Sequence, residues 1–197
     1  MASCDRPAQA LQLGRRGSHI NLRIRKADGF ALIDLLFVCG IIGLLSSIVL
    51  PRLVQARQSA GAASAIGSMR AINSAQLTFA LTCGGGFYAP NLTTLGTAPP
   101  GSSEPFIAKS LGSANTIVKS VYQIQMSAAP FSGAPASCNG LGVDEAGRGF
   151  KAAADPTGAE NKRHFATNAN NVIFEEASSL WSVMPEASDP PSGHVLR

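Results

Sequence analysis

Gly29-Phe30-Ala31-Leu32-Ile33-Asp34-Leu35-Leu36-Phe37-Val38-Cys39-Gly40-Ile41-Ile42-Gly43-Leu44-Leu45-Ser46-Ser47-Ile48-Val49-Leu50-Pro51 is the stretch from which the rest of the chain is read. From Phe30 to Leu50 it holds 21 residues and one charged side chain, Asp34. A helix rises about 1.5 Å per residue, so this run spans roughly 30 Å, the thickness of a bilayer's hydrocarbon core. A helix satisfies its own backbone hydrogen bonds, which lipid cannot do for it. A carboxylate inside that core costs on the order of 2.5–3.5 kcal/mol, so Asp34 is expected to have a partner.

The charge balance on either side of the run sets its orientation. The 197 residues carry a net charge of +4. Residues 1–29 hold six Lys and Arg side chains against Asp5 and Asp28, a surplus of four, which is the whole excess. The remainder, from Phe30 on, is balanced at ten against ten. The basic character is therefore a topology signal and gives no support for nucleic acid binding. Positive charge before a span faces the cytoplasm, so the part after Pro51 is expected on the other side. A secretory signal places its apolar core before the cleavage site. Here the apolar core follows Gly29, so cut chains would keep it.

Gly29, Phe30, Asp34 and Pro51, at this spacing around an apolar run, resemble the N-terminal signature of type IV pilins and the related pseudopilins. That signature has a Gly, usually Phe, a few apolar residues, an acid, a long apolar run and a Pro. The resemblance implies that a prepilin peptidase cuts between Gly29 and Phe30 and methylates the new amino terminus of Phe30. It implies that Asp34 pairs with the amino terminus of a neighbouring subunit during assembly. The alternative is that Asp34 pairs with its own amino terminus or is held neutral. The family normally has Glu at this point; Asp34 keeps the charge on a side chain one methylene shorter. The match is tight over Gly29–Pro51 and loose elsewhere.

The expected organisation is α+β: a long N-terminal helix packed on a small antiparallel sheet, as in pilin-like heads. Residues 1–29 form the basic leader, 30–82 the helix, with 30–50 as its transmembrane or filament-core part, and 83–197 the head. Pro51 is expected to kink the helix without ending it, because helical pattern resumes at once. Ile66, Met69, Ile72 and Phe79, with Ala75 or Gln76 between, recur every three or four residues and make a face for the sheet. Arg52, Arg57, Gln58 and Arg70 lie on the other side. Small residues crowd Ser59–Gly67, which either admits neighbouring helices closely or is simply an Ala-rich helix. Cys83-Gly84-Gly85-Gly86 ends the helix.

Residues 87–105, with four prolines, are expected as loop, and Phe106–Leu111 as a short helix. Strands are expected at Ser120–Ala128, Gly149–Ala154, Arg163–Thr167 and Val172–Glu176, the last two joined by a turn at Asn168–Asn171. Residues 130–147 are expected as loop. Ala177–Arg197 is weakly ordered by composition, although Leu180, Trp181, Val183 and Met184 have the apolar bulk to dock on the head.

The search for chemistry returns little. Three histidines lie far apart in sequence, and no H-E-x-x-H, G-x-S-x-G or P-loop occurs. Gly140-x-Gly142 has no βαβ setting. Asp144, Glu145 and Asp155 are calcium candidates, but without an EF-hand-like pattern they are read as solvated loop acids. No cofactor and no metal site is expected. Of the four cysteines, Cys4 leaves with the leader and Cys39 is expected as a small buried hydrophobe. Cys83 and Cys138 lie beyond the span, in an expected oxidising compartment, and are expected to pair, two free thiols being the alternative. Asn91-Leu92-Thr93 matches a glycosylation sequon, a motif common by chance.

The expected function is a structural prepilin, without enzymatic activity, that waits in the inner membrane with its head in the periplasm. It then polymerises through its helix into a type IV pilus-like filament. Its partners are its own copies, other pilins and the peptidase. The rivals are a secretion-system pseudopilin, which stays a short periplasmic piston, and a minor pilin for adhesion or DNA uptake. A membrane-tethered enzyme or binding module is the reading of a different class.

Overall fold

Helix α1 runs Leu32–Thr82 and passes through Pro51 without a break. The structure, a computed structural model, describes residues 32–159 and 161–196. Gly29 and Phe30 lie outside the described residues. The chain divides into two compact units, Met1–Ser46 and Ser47–Arg197. Within the second unit come α2 (Leu92–Leu95), α3 (Lys109–Gly112) and six strands. These are β1 (Thr116–Lys119), β2 (Tyr122–Ser127), β3 (Lys151–Pro156), β4 (His164–Asn168), β5 (Ile173–Glu176) and β6 (His194–Val195). They form one antiparallel sheet in chain order. The architecture is α+β.

The second half of α1 buries the face its spacing predicts. Met69, Ile72, Ala75, Gln76 and Phe79 are buried, with Ile66 partly so, while Arg52, Arg57 and Arg70 are exposed. That face meets Tyr122, Ile124 and Met126 of β2, Ala152 and Ala154 of β3, and Phe165 of β4 in one core. Side chains alternate across a strand. The intervening Ala153, Ala166 and Phe174 therefore point to the opposite face, where Leu180 and Met184 cover them. The sheet is thus buried on both sides at its centre. This is why Ala152-Ala153-Ala154 can run apolar without alternation.

Two buried polar contacts fix how α1 sits on the head. The Gln76 amide pairs with both backbone groups of Ala89, its Nε2 donating to the carbonyl and its Oε1 accepting from the N–H, each at 2.9 Å. Asn73 Nδ2 donates to Thr167 Oγ1 at 2.9 Å. A buried amide left without such partners costs about 1–3 kcal/mol, so both contacts specify the register of helix on sheet.

The helix stops where glycine permits it. Gly84 N–H donates to Phe79 O and Gly86 N–H to Ala80 O, both at 2.8 Å. Gly85 and Gly86 have φ of 59° and 96°, the left-handed region that L side chains rarely enter.

Several expectations are corrected by this arrangement. Within the small-residue run at Ser59–Gly67, Gly61 lies close to a hairpin of the same chain. A Cβ at Gly61 would lie 2.9 Å from Ser120 O, and Ala62 and Ala65 are buried in the head core, whereas Gly67 has open space around it. The hairpin in question joins β1 to β2, and β1 was not foreseen. Its turn places Ser120 and Val121 at φ of 50° and 64°. The 87–105 segment contains a turn of helix, α2, whose N-cap is Asn91: its Oδ1 accepts from Thr94 N–H at 3.0 Å. The N-x-T spacing there has a capping reason. The C-terminal segment is ordered. Asn168 Nδ2 donates to Pro185 O and Ser188 O at 3.1 and 2.6 Å, and β6 pairs with β5. Leu180 and Met184 dock, Trp181 is half-buried and Val183 stays exposed.

Candidate functional site

The first part of α1 has the chemistry of an interface. Fifteen large apolar side chains from Leu32 to Val54 are exposed, among them Leu32 at 79% and Leu50 at 61%. Withdrawing all of them from water is worth on the order of 20–45 kcal/mol at about 1.5–3 kcal/mol each. A soluble chain rarely exposes so large an apolar patch. The segment is long and apolar enough to cross a membrane. Asp34 stands in the first turn of α1, the end that favours a negative charge, and is exposed. The ion pairs among the described residues all lie in the head. Cys39, expected to be buried, is an exposed free thiol, because in the chain alone nothing covers this part of the helix.

The remaining candidate residues are in the head. Cys83 and Cys138 form a disulfide. It closes the loop that carries α2, α3, β1 and β2, and Cys138 N–H donates to Cys83 O at 3.2 Å beside it. The three calcium candidates are not brought together. Asp144 Oδ1 accepts from Gly133 N–H at 2.6 Å and Glu145 Oε2 from Gly142 N–H at 2.8 Å. No group of three or more metal-ligating side chains occurs among the described residues.

Asp155 is engaged elsewhere, in a contact that the sequence did not reveal. His164 Nδ1 lies 2.7 Å from Asp155 Oδ1, and Ser179 Oγ donates to Asp155 Oδ2 at 2.9 Å. Asp, His and Ser meet here, but the hydroxyl is spent on the carboxylate. A serine nucleophile of the triad kind needs the imidazole to take its proton, and here His164 contacts Asp155 and not Ser179. Its effect is to tie the C-terminal segment to the β3–β4 hairpin. The signal for it lies in the hairpin register, which pairs Ala154 with Phe165 and so sets Asp155 beside His164. That register is not readable from residue types alone.

Arg163 forms a two-pronged ion pair with Glu175, with Nη2 to Oε2 at 2.9 Å. The Arg163 hydrogen bonds hold the Glu175 carboxyl below its ordinary pKa, against a smaller opposing effect of burial. Its contribution to stability is therefore full above the ordinary glutamate pKa and is lost as pH falls through the lowered value. Arg163 is half exposed, so the pair is worth only about 0.2–1 kcal/mol. Urea unfolding should show wild type losing that increment over the Glu175→Gln variant as pH drops from about 6 to about 3. Parallel stability curves for the two proteins would refute the assignment.

Comparison of the chain with family models, with curated proteins and with solved structures finds no match.

Proposed function

We propose that this chain is a prepilin-like structural subunit, cut after Gly29 and assembled through the first part of α1 into a filament. The carrying observation is the exposed apolar helix with one carboxylate near its start, continuous in sequence with a helix that packs on an antiparallel sheet. An apolar surface of this size needs lipid or other apolar helices around it. A subunit that moves from one to the other keeps it covered throughout. Asp34 supplies a charge that lipid disfavours and a neighbour's amino terminus would match. The pilin-like character of the head rests on the resemblance at Gly29–Pro51 and on this helix-on-sheet layout.

A periplasmic secretion pseudopilus uses the same parts and is the second reading. The ordered head with a disulfide suits either, since both place it outside the cytoplasm.

Processing tests the proposal. Gly29→Leu should leave full-length precursor in the membrane, while the wild-type mature chain should have the mass of one starting at methylated Phe30. A mature wild-type chain that retains Arg25 and Lys26 would overturn the proposal.

A further inference from the structure

Two adjoining hollows open on the side of the head where α1 enters it. The first is lined by Val54, Arg57 and Gly61 of α1, by Val121 of the β1–β2 turn, and by Pro156 and Asn161 around the β3–β4 loop. Its walls are mainly apolar, with Arg57 as the cation. The second shares Gln58 and Asn161 with the first and adds Gln55, Ser59, Lys162 and Arg163. Arg52 falls on the same helical stripe as Gln55 and Ser59, at i, i+3 and i+7. No carboxylate lines either hollow among the described residues. Glu160 lies outside them. Arg163 has its charge partly matched by Glu175, whereas Arg57 and Lys162, with Arg52 nearby on the helix, have no ion pair among the described residues.

Asn161 and Arg163, which line the hollows, are held in place. Tyr122 Oη donates to Arg163 O at 3.1 Å and accepts from Asn161 Nδ2 at 2.8 Å. Burial pushes the Tyr122 hydroxyl's pKa up, so it remains a donor. Height along the helix supplies the remaining constraint. Arg52 and Arg57 follow Leu50, the last residue of the apolar run, by two and seven positions. At about 1.5 Å per residue they stand roughly 3 and 10 Å past its end. The polar headgroup layer of one leaflet is on the order of 5–8 Å thick. Arg52 stands within that layer and Arg57 just beyond it, from where its long side chain can reach back; cations next to an apolar hollow there match an anionic phosphate attached to a glycerol and acyl chain.

We propose that these hollows bind the headgroup of an anionic phospholipid in the outer leaflet of the membrane that holds the unassembled subunit. This rests on the membrane-anchored reading above. The lipid steadies the head on the bilayer and is left behind when the subunit enters a polymer.

Full-length protein in nanodiscs of equal phosphatidylglycerol and phosphatidylethanolamine gives the test, with native mass spectrometry reading the lipids that stay bound after the disc is stripped. Phosphatidylglycerol should be retained several-fold over phosphatidylethanolamine. Arg57→Gln and Lys162→Gln should each lower that excess about fivefold. Lys109→Gln, an exposed cation on α3 away from the hollows, should leave it unchanged. Equal retention of the two lipids, or an excess indifferent to Arg57→Gln and Lys162→Gln, overturns the proposal. So does displacement of the lipid by millimolar inorganic phosphate, or a second copy of the chain retained in its place. Failure of the protein to enter the discs would instead overturn the membrane reading itself.

Discussion

Asp34→Ala should abolish filaments while membrane-inserted monomer persists at or above the wild-type level. In a plain anchor the same change removes an unfavourable charge, and insertion is equal or better. The two roles therefore diverge only at assembly. In the polymer, removing the carboxylate strands a neighbour's amino terminus in an apolar core, where an unpaired charge costs several kcal/mol. Every subunit would repeat the defect. Asp34→Glu should assemble at least as well as wild type, since the longer acid is the one the signature normally carries. Sheared filament yield against membrane monomer, measured for the three proteins, decides it. Normal filaments from Asp34→Ala would show that this carboxylate does not drive assembly.

The second large effect is expected from the disulfide. Cys83 and Cys138 are separated by 55 positions, a loop whose closure is worth about 4 kcal/mol in the chain-entropy model. The double variant Cys83→Ser with Cys138→Ser should unfold about 10 °C or more below wild type. The loop has its own small core, with Leu92, Leu95, Ile107 and Leu111 buried, so the variant should still fold at low temperature. A shift of under 2 °C, or peptide mapping that recovers two free thiols, would show the bridge to be unimportant or absent in the protein.

Much of the fold was legible because its signals are long or repeated. The glycines after Cys83 mark the end of α1 to within a residue or two, the apolar run marks its first part, and the alternation Tyr122, Ile124, Met126 marks β2. What escaped was short or dependent on tertiary contact. β1 has four residues, of which only Ile117 is buried, and no Gly or Asn marks its turn. Ser120 and Val121 take positive φ because a two-residue hairpin loop needs it at both positions, and neither is a residue that usually signals such a turn. β6 is an exposed dipeptide, His194-Val195, whose strand character comes from pairing with β5. The C-terminal segment looked weakly ordered because its anchor, Asn168, lies in another hairpin.

The candidate site divides in the same way. Gly29, Phe30, Asp34 and Pro51 are visible because they stand in one continuous stretch of sequence. The basic rim was invisible as a unit. In sequence Arg52 and Arg57 mark only the helix's outer face, and nothing there ties Lys162 to them. Only the β3–β4 hairpin sets Lys162 opposite Gln55 and Ser59.

The most direct measurement is the composition of the polymer fraction, sheared or released from the cell envelope, imaged by electron microscopy with antibody to the head and then analysed by mass spectrometry. We expect labelled filaments whose subunit begins at N-methylated Phe30 and carries the Cys83–Cys138 bridge. Absence of the chain from every filament, with all of it in the membrane and still attached to residues before Gly29, would contradict a role as a filament subunit.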